Sequence, residues 1–107
     1  MTERLPTQVL VSAMLRRVGE AGGFGVVLAK GEAQGGGVLV VALNRDAPAR
    51  LFERGLGGDA GLIESTPTDG DTDAYWRRRR QRDPDLWVVE LDVPNAQRFA
   101  AETIGAG

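Results

Sequence analysis

Five arginines fall within six positions, Arg77, Arg78, Arg79, Arg80 and Arg82, in the stretch YWRRRRQRD. Such a run could neutralise phosphates, so the first chemistry to weigh is a grip on nucleic acid or another anionic partner. Counting the neighbours changes that reading. Residues 69–85 also hold Asp69, Asp71, Asp73, Asp83 and Asp85, which makes the segment neutral. Three of these aspartates precede the arginines, an order that complements a helix dipole at roughly 0.3 to 1 kcal/mol per well-placed charge. Consecutive helical residues also advance about 100° each, so four arginines in a row cannot share one phosphate-facing stripe. Some must pair with acids or lay their stems over apolar surface. The expected role of Arg77, Arg78, Arg79, Arg80 and Arg82 is a solvated, self-paired helix surface, with an anionic-partner patch as the alternative. Twelve arginines against the single Lys30, together with abundant Gly and Ala, point to codon bias rather than to selection for guanidinium chemistry.

The other motifs fail on spacing. D-G-D-T-D at 69–73 sets carboxylates at alternate positions as a calcium loop does. A loop starting at Asp69, however, puts Ala74 where the turn glycine belongs and Arg80 where the bidentate glutamate belongs. The cluster reads as a helix cap instead. Gly55, Gly57 and Ala60 fit a loose G-x-G-x-x-A. A dinucleotide loop needs a helix to start there, whereas Leu62 and Ile63 read as a returning strand, so a hairpin loop is expected. Pro84, Asp85 and Glu90 resemble the acidic motif of restriction nucleases, but Asp92 stands where that motif wants a lysine to activate metal-bound water, and the spacing is too short. Histidine and cysteine are absent, which removes the commonest general base, the thiol nucleophile and the usual zinc ligands. Ser12 and Ser65 are the only serines, and Lys30 is the only amine base to set beside them. No catalytic, cofactor-binding or metal-binding residue is expected, and no cofactor.

The elements that would carry these residues are well punctuated. LPTQVLVSAMLRRVGEAGG opens with Pro6 and Thr7 and stops at Gly22 and Gly23, as a helix with a glycine stop does. Its apolar stripe is expected from Leu10, Met14, Val18 and Ala21, widened by Val11 and Leu15. FGVVLAKG and GGVLVVALN read as strands joined by a hairpin through EAQG. In the first, Phe24, Val26 and Leu28 should line one face, with Gly25, Val27 and Ala29 on the other, where small residues admit a helix. The second is apolar on both faces and reads as a central strand. RDAPA turns the chain at Pro48 into RLFER, a third strand, and LIEST is a weaker fourth. A second helix should run from near Asp71 to just before Pro84. DLWVVELD is the fifth strand, with Trp87, Val89 and Leu91 on one face and Leu86 and Val88 on the other, and a short helix capped by Asn95 closes the chain.

The expected fold is α+β: a single domain over residues 1–107, in the order α-β-β-β-β-α-β-α, with a mostly antiparallel sheet of about five strands and helices packed on it. A chain of 107 residues with 42% apolar content supports one core. A net charge of −2 argues against non-specific DNA binding. The N-terminal apolar run is too short to span a bilayer and lacks a cleavage site, so a cytoplasmic location without membrane contact is expected.

The segments RLPTQVLVSAMLRR, GGFGVVLAKG, RLFERG and RRRRQRDPDLWVVELD resemble a family of small bacterial proteins of unknown function. The resemblance spans nearly the whole chain and implies an independent domain, but no activity and no functional residue. Three function classes follow. A non-catalytic interaction or scaffold domain, with a protein partner or a second copy, is favoured because catalytic chemistry is missing. A nucleic-acid accessory protein using Arg77 to Arg82 comes second, and a metal- or carboxylate-dependent enzyme third.

Overall fold

Two strands that are apolar on both faces occupy the middle of the sheet, because only there can both faces be buried. The computed structural model describes residues 5–55 and 61–105. Its elements run α1 (Thr7–Glu20), β1 (Phe24–Ala29), β2 (Val38–Asn44), β3 (Ala47–Arg54), β4 (Leu62–Glu64), α2 (Thr72–Arg82), β5 (Trp87–Asp92) and α3 (Ala96–Thr103). This is the order and α+β class the sequence implied. The five strands form one sheet in the order β1-β5-β2-β3-β4. The β2–β5 pair is parallel, while β1–β5, β2–β3 and β3–β4 are antiparallel.

The expected hairpin between β1 and β2 does not form, because β5 inserts between them. The glycines that suggested a tight turn admit the incoming strand instead. The Glu32 amide donates to the Asp85 carbonyl at 3.0 Å, and the Trp87 amide donates to the Gly37 carbonyl at 2.8 Å. Trp87 Nε1 reaches the Glu32 carbonyl at 2.8 Å. A side chain on Gly36 would collide with the Asp85 carbonyl oxygen, so the close approach requires glycine there.

The sheet divides the core in two. On one face α1 and α3 cover Val38, Val40, Phe52, Trp87, Val89 and Leu91. On the other, α2 seats Trp76 among Leu39, Val41, Leu51, Leu86 and Val88. The alternation expected for β5 therefore holds at each of its apolar positions. In β1 the expected alternation breaks, because a bulge between Val27 and Ala29 leaves Leu28 as an extra residue. Ala29 then shares the α2 side with Leu28, while Gly25 still lies beneath Leu15 of α1.

Three local expectations also need correction. The buried stripe of α1 is Thr7, Val11, Met14 and Val18; Leu10 is half-buried and Ala21 exposed. Thr7 draws the stripe round because its hydroxyl donates to the Gly36 carbonyl at 2.7 Å. The turn between β2 and β3 is tighter than RDAPA, with Ala47 already paired to Asn44. Pro48 then falls in an irregular part of the ladder, where its missing N–H is tolerated. Asn95 does precede α3, but with φ of 61° and no side-chain cap hydrogen bond. The stop of α1 is as expected. Gly22 has φ of 86°, the Gly23 amide reaches the Val18 carbonyl at 2.9 Å and the Gly22 amide that of Gly19 at 3.0 Å, the paired bonds of a Schellman stop.

Candidate functional site: the arginine helix and the open strand edge

Aspartates before α2 and in its first turn build its start. The Asp71 side chain accepts from the Ala74 amide at 3.0 Å, Asp69 accepts from the Asp71 amide at 2.9 Å, and Asp73 holds Trp76 Nε1 at 3.2 Å. Among the described residues no group of three His, Cys, Asp or Glu is placed to hold a metal ion.

The five arginines part company along the helix. Arg77 lies over the Trp76 ring, 4.6 Å from its centroid. Arg79 turns inward and clasps Glu53 of β3 with both terminal nitrogens, at 2.9 and 3.0 Å, and it also donates to the Tyr75 hydroxyl at 3.1 Å. Arg80 donates to the Pro84 and Leu86 carbonyls, ordering the turn into β5. Arg78 and Arg82 are exposed. Among the described residues, the only ion pair made by the run is thus to a strand 26 residues away rather than to the flanking aspartates.

Glu53 is the functional-looking residue that sequence reasoning passed over. It accepts from Arg79 and from the Ser65 hydroxyl. Burial works against its ionised form, but those hydrogen bonds and the Arg79 charge outweigh burial and hold its carboxyl below the usual range. Arg79 is correspondingly held above its ordinary value, chiefly by the hydrogen bonds to Glu53. Beside this pair, Arg50 chelates Glu64 at 2.7 and 2.9 Å. That contact and Thr66 bring the exposed Glu64 carboxyl down to about 2.

Glu53→Gln should lower stability at neutral pH by about 1 to 2 kcal/mol, since a charged acceptor of several hydrogen bonds is replaced by a neutral one. Because the folded pKa is depressed, the wild-type contribution is fully present above about 4.3, the unfolded value. It disappears as pH falls through the folded pKa. Urea midpoints across an acidic pH series should therefore fall less steeply for the variant. Identical slopes would show that the Glu53–Arg79 pair contributes nothing to the acid limb.

Two surface features remain. An open cleft of about 1040 Å³ lies where β2 and β5 end and α3 begins, bordered by Asn44, Arg45, Arg50, Asp92, Asn95 and Arg98. Its charges are mixed, and Arg50 and Arg98 are engaged by Glu64 and Glu102. The second feature is the β1 edge. FGVVLA carries no charge, and Phe24 and Val26 are 74% and 51% exposed. The opposite edge, β4, has only three residues and is guarded by the Arg50–Glu64 pair, the usual protection against unwanted strand pairing. No helix among the described residues is long and apolar enough to cross a membrane.

Comparison with known proteins agrees on one family. Residues 5–101 match the family described as "Protein of unknown function (DUF1491)". The crystal structure of a DUF1491 family protein from Caulobacter crescentus CB15 is 38% identical, covers 90% of this chain and 94% of its own, and superposes with a TM-score of 0.76. The NMR structure of a DUF1491 family protein from the same organism gives 36% identity, coverage of 90% or more on both sides (92% and 94%), and a TM-score of 0.72. The solution structure of protein Atu0922 from A. tumefaciens is 30% identical over 83% of this chain and 86% of its own, with a TM-score of 0.69. No curated protein matches the chain. With nearly its whole length inside the family match and its fold shared with these bacterial relatives, the chain belongs to the DUF1491 family, whose function is unknown.

Proposed function

We propose that the protein is a non-catalytic interaction domain working in the cytoplasm, and that β1 is the element it offers to a partner. The observation that carries this reading is the uncharged β1 edge with Phe24 and Val26 exposed beside it. A strand edge presents unpaired N–H and C=O groups, and exposed apolar side chains next to it add affinity when another strand joins. The inward use of Arg79 and Arg80 supports the same reading, because these side chains anchor α2 and the entry to β5 rather than facing outward.

A photo-crosslinking amino acid in place of Phe24 should capture one defined protein in living cells, while the same probe at Gln81 on the exposed side of α2 should not. Capture from position 81 alone would overturn the proposal. A nucleic-acid role draws on the exposed Arg77, Arg78 and Arg82. It requires RNA or DNA binding whose log affinity falls with log salt by roughly 0.7 to 0.9 per phosphate contacted. Tight binding of that kind, lost on changing Arg78 and Arg82 together to Gln, would replace the interaction reading.

A further inference from the structure

We infer that the partner of the β1 edge is a second copy of this chain, joined by antiparallel β1–β1 pairing about a two-fold axis; the inference rests on the reading of β1 as the interaction element. In an isologous contact each residue near the axis faces its own kind, so a charge there would face a like charge. From Ala21 to Ala29 the sequence contains none. The charges that bracket this run are opposite in sign, with Glu20 before it and Lys30 after it. Asp92 pairs across from Phe24 at the same end as Glu20, and all three charged residues are exposed. Antiparallel pairing brings Lys30 of one copy beside Glu20 and Asp92 of the other, twice, whereas parallel pairing would stack like on like.

The surfaces above and below the strand fit the same geometry. Leu15 of α1 rests on Gly25, while Arg17 reaches Glu102 of α3 at 2.6 Å, so the Leu15 flank is the one over the β1 edge. Ser12 and Gly19 stand one helical turn to either side of Leu15 on that flank. Among the described residues, a side chain on Gly19 would meet nothing within 4 Å. A glycine within a helix is less favourable than alanine, and no contact among the described residues requires it here; two α1 helices brought side by side by sheet pairing would use the space. Beneath the sheet, Phe24 and Val26 of each copy would cover those of the other. Joining the β1 strands would give a continuous ten-stranded sheet ending in the two guarded β4 edges.

The test is sedimentation of the full chain over a concentration series, combined with spin labels at single cysteines, which the cysteine-free sequence makes unambiguous. The expected mass is twice the 11.4 kDa of one chain at the higher concentrations. Labels at Val26→Cys should show strong dipolar coupling between copies, and labels at Glu64→Cys none, since the β4 edges would lie about nine strand spacings apart. Val26→Lys should return the protein to the monomer with an unchanged circular dichroism spectrum, and Val26→Thr should leave the dimer intact. A monomer at every concentration, or a dimer coupled at position 64 and not at 26, overturns the inference. A monomer whose position 24 still captures a different protein in cells refutes self-pairing and leaves the interaction reading standing. A monomer that captures nothing removes both.

Discussion

Replacing Trp87 by alanine should lower the free energy of unfolding by about 3 to 5 kcal/mol, the range for deleting a large buried aromatic side chain. Trp87 is 3% exposed and heads the α1/α3 side of β5. Its indole N–H also holds the Glu32 carbonyl, so the truncation opens a cavity and releases the loop that clasps the strand. Urea denaturation followed by circular dichroism measures the shift. A change below about 1 kcal/mol, the size of an ordinary surface substitution's effect or little more, would mean that β5 is not a core strand.

Gly36→Ala should cost about 2 to 3 kcal/mol, near the upper end of the usual range for overpacking. The added methyl would overlap the Asp85 carbonyl oxygen and stand 3.0 and 3.1 Å from the Glu32 carbonyl oxygen and amide nitrogen. These are backbone atoms that can yield only by moving the loop or the start of β5. The Gly36 carbonyl also receives the Thr7 hydroxyl, so the displacement reaches the first turn of α1. Gly25→Ala is the informative comparison, because its methyl meets the tip of the Leu15 side chain, which can rotate away. If Gly36→Ala unfolds at the same urea concentration as wild type while Gly25→Ala does not, the clasp is not a constraint on the fold.

The order of the eight elements was legible in the sequence because each is set by neighbours close along the chain. Pro6 and Gly22 mark the ends of α1, Asp71 and Pro84 bracket α2, and period-two alternation sets the faces of β5. Strand pairing is a different kind of quantity. EAQG between two apolar runs carries the composition of a hairpin, and nothing local to it reveals that Leu86 to Leu91, buried on both faces, competes for the place beside β2. The bulge at Val27 to Ala29 is invisible for the same reason, since it is a mismatch in length against a distant strand, in which Val89 meets Val27 and Val88 meets Ala29, so that Leu28 is left over. For the candidate site, the neutrality of the 69–85 segment suggested pairing within the helix, but the partner of Arg79 lay in RLFER, where Glu53 looked like one more strand charge. The sequence offered only a glutamate directly after Phe52 in a strand; its half-burial is visible in the fold alone. Asn95 shows the converse, a cap residue by type that occupies the cap position without making the cap bond.

The placement of β5 between β1 and β2 also governs how the chain can reach its native state. Phe24 meets Asp92 and Val38 meets Trp87, so both seams that β5 makes close loops of several dozen residues. The entropy of closing them must be met before either ladder returns any stabilisation. Only the β2–β3–β4 meander and the helices can organise from local contacts. A nascent chain emerging from the ribosome would therefore hold β1 and β2 as two unpaired edges until residues 87–92 are synthesised and released. Native topology makes assembly late: the β1 and β2 edges stay open to aggregation for at least the time that separates synthesis of β2 from that of β5, a few seconds at elongation rates of about 5 to 20 residues per second.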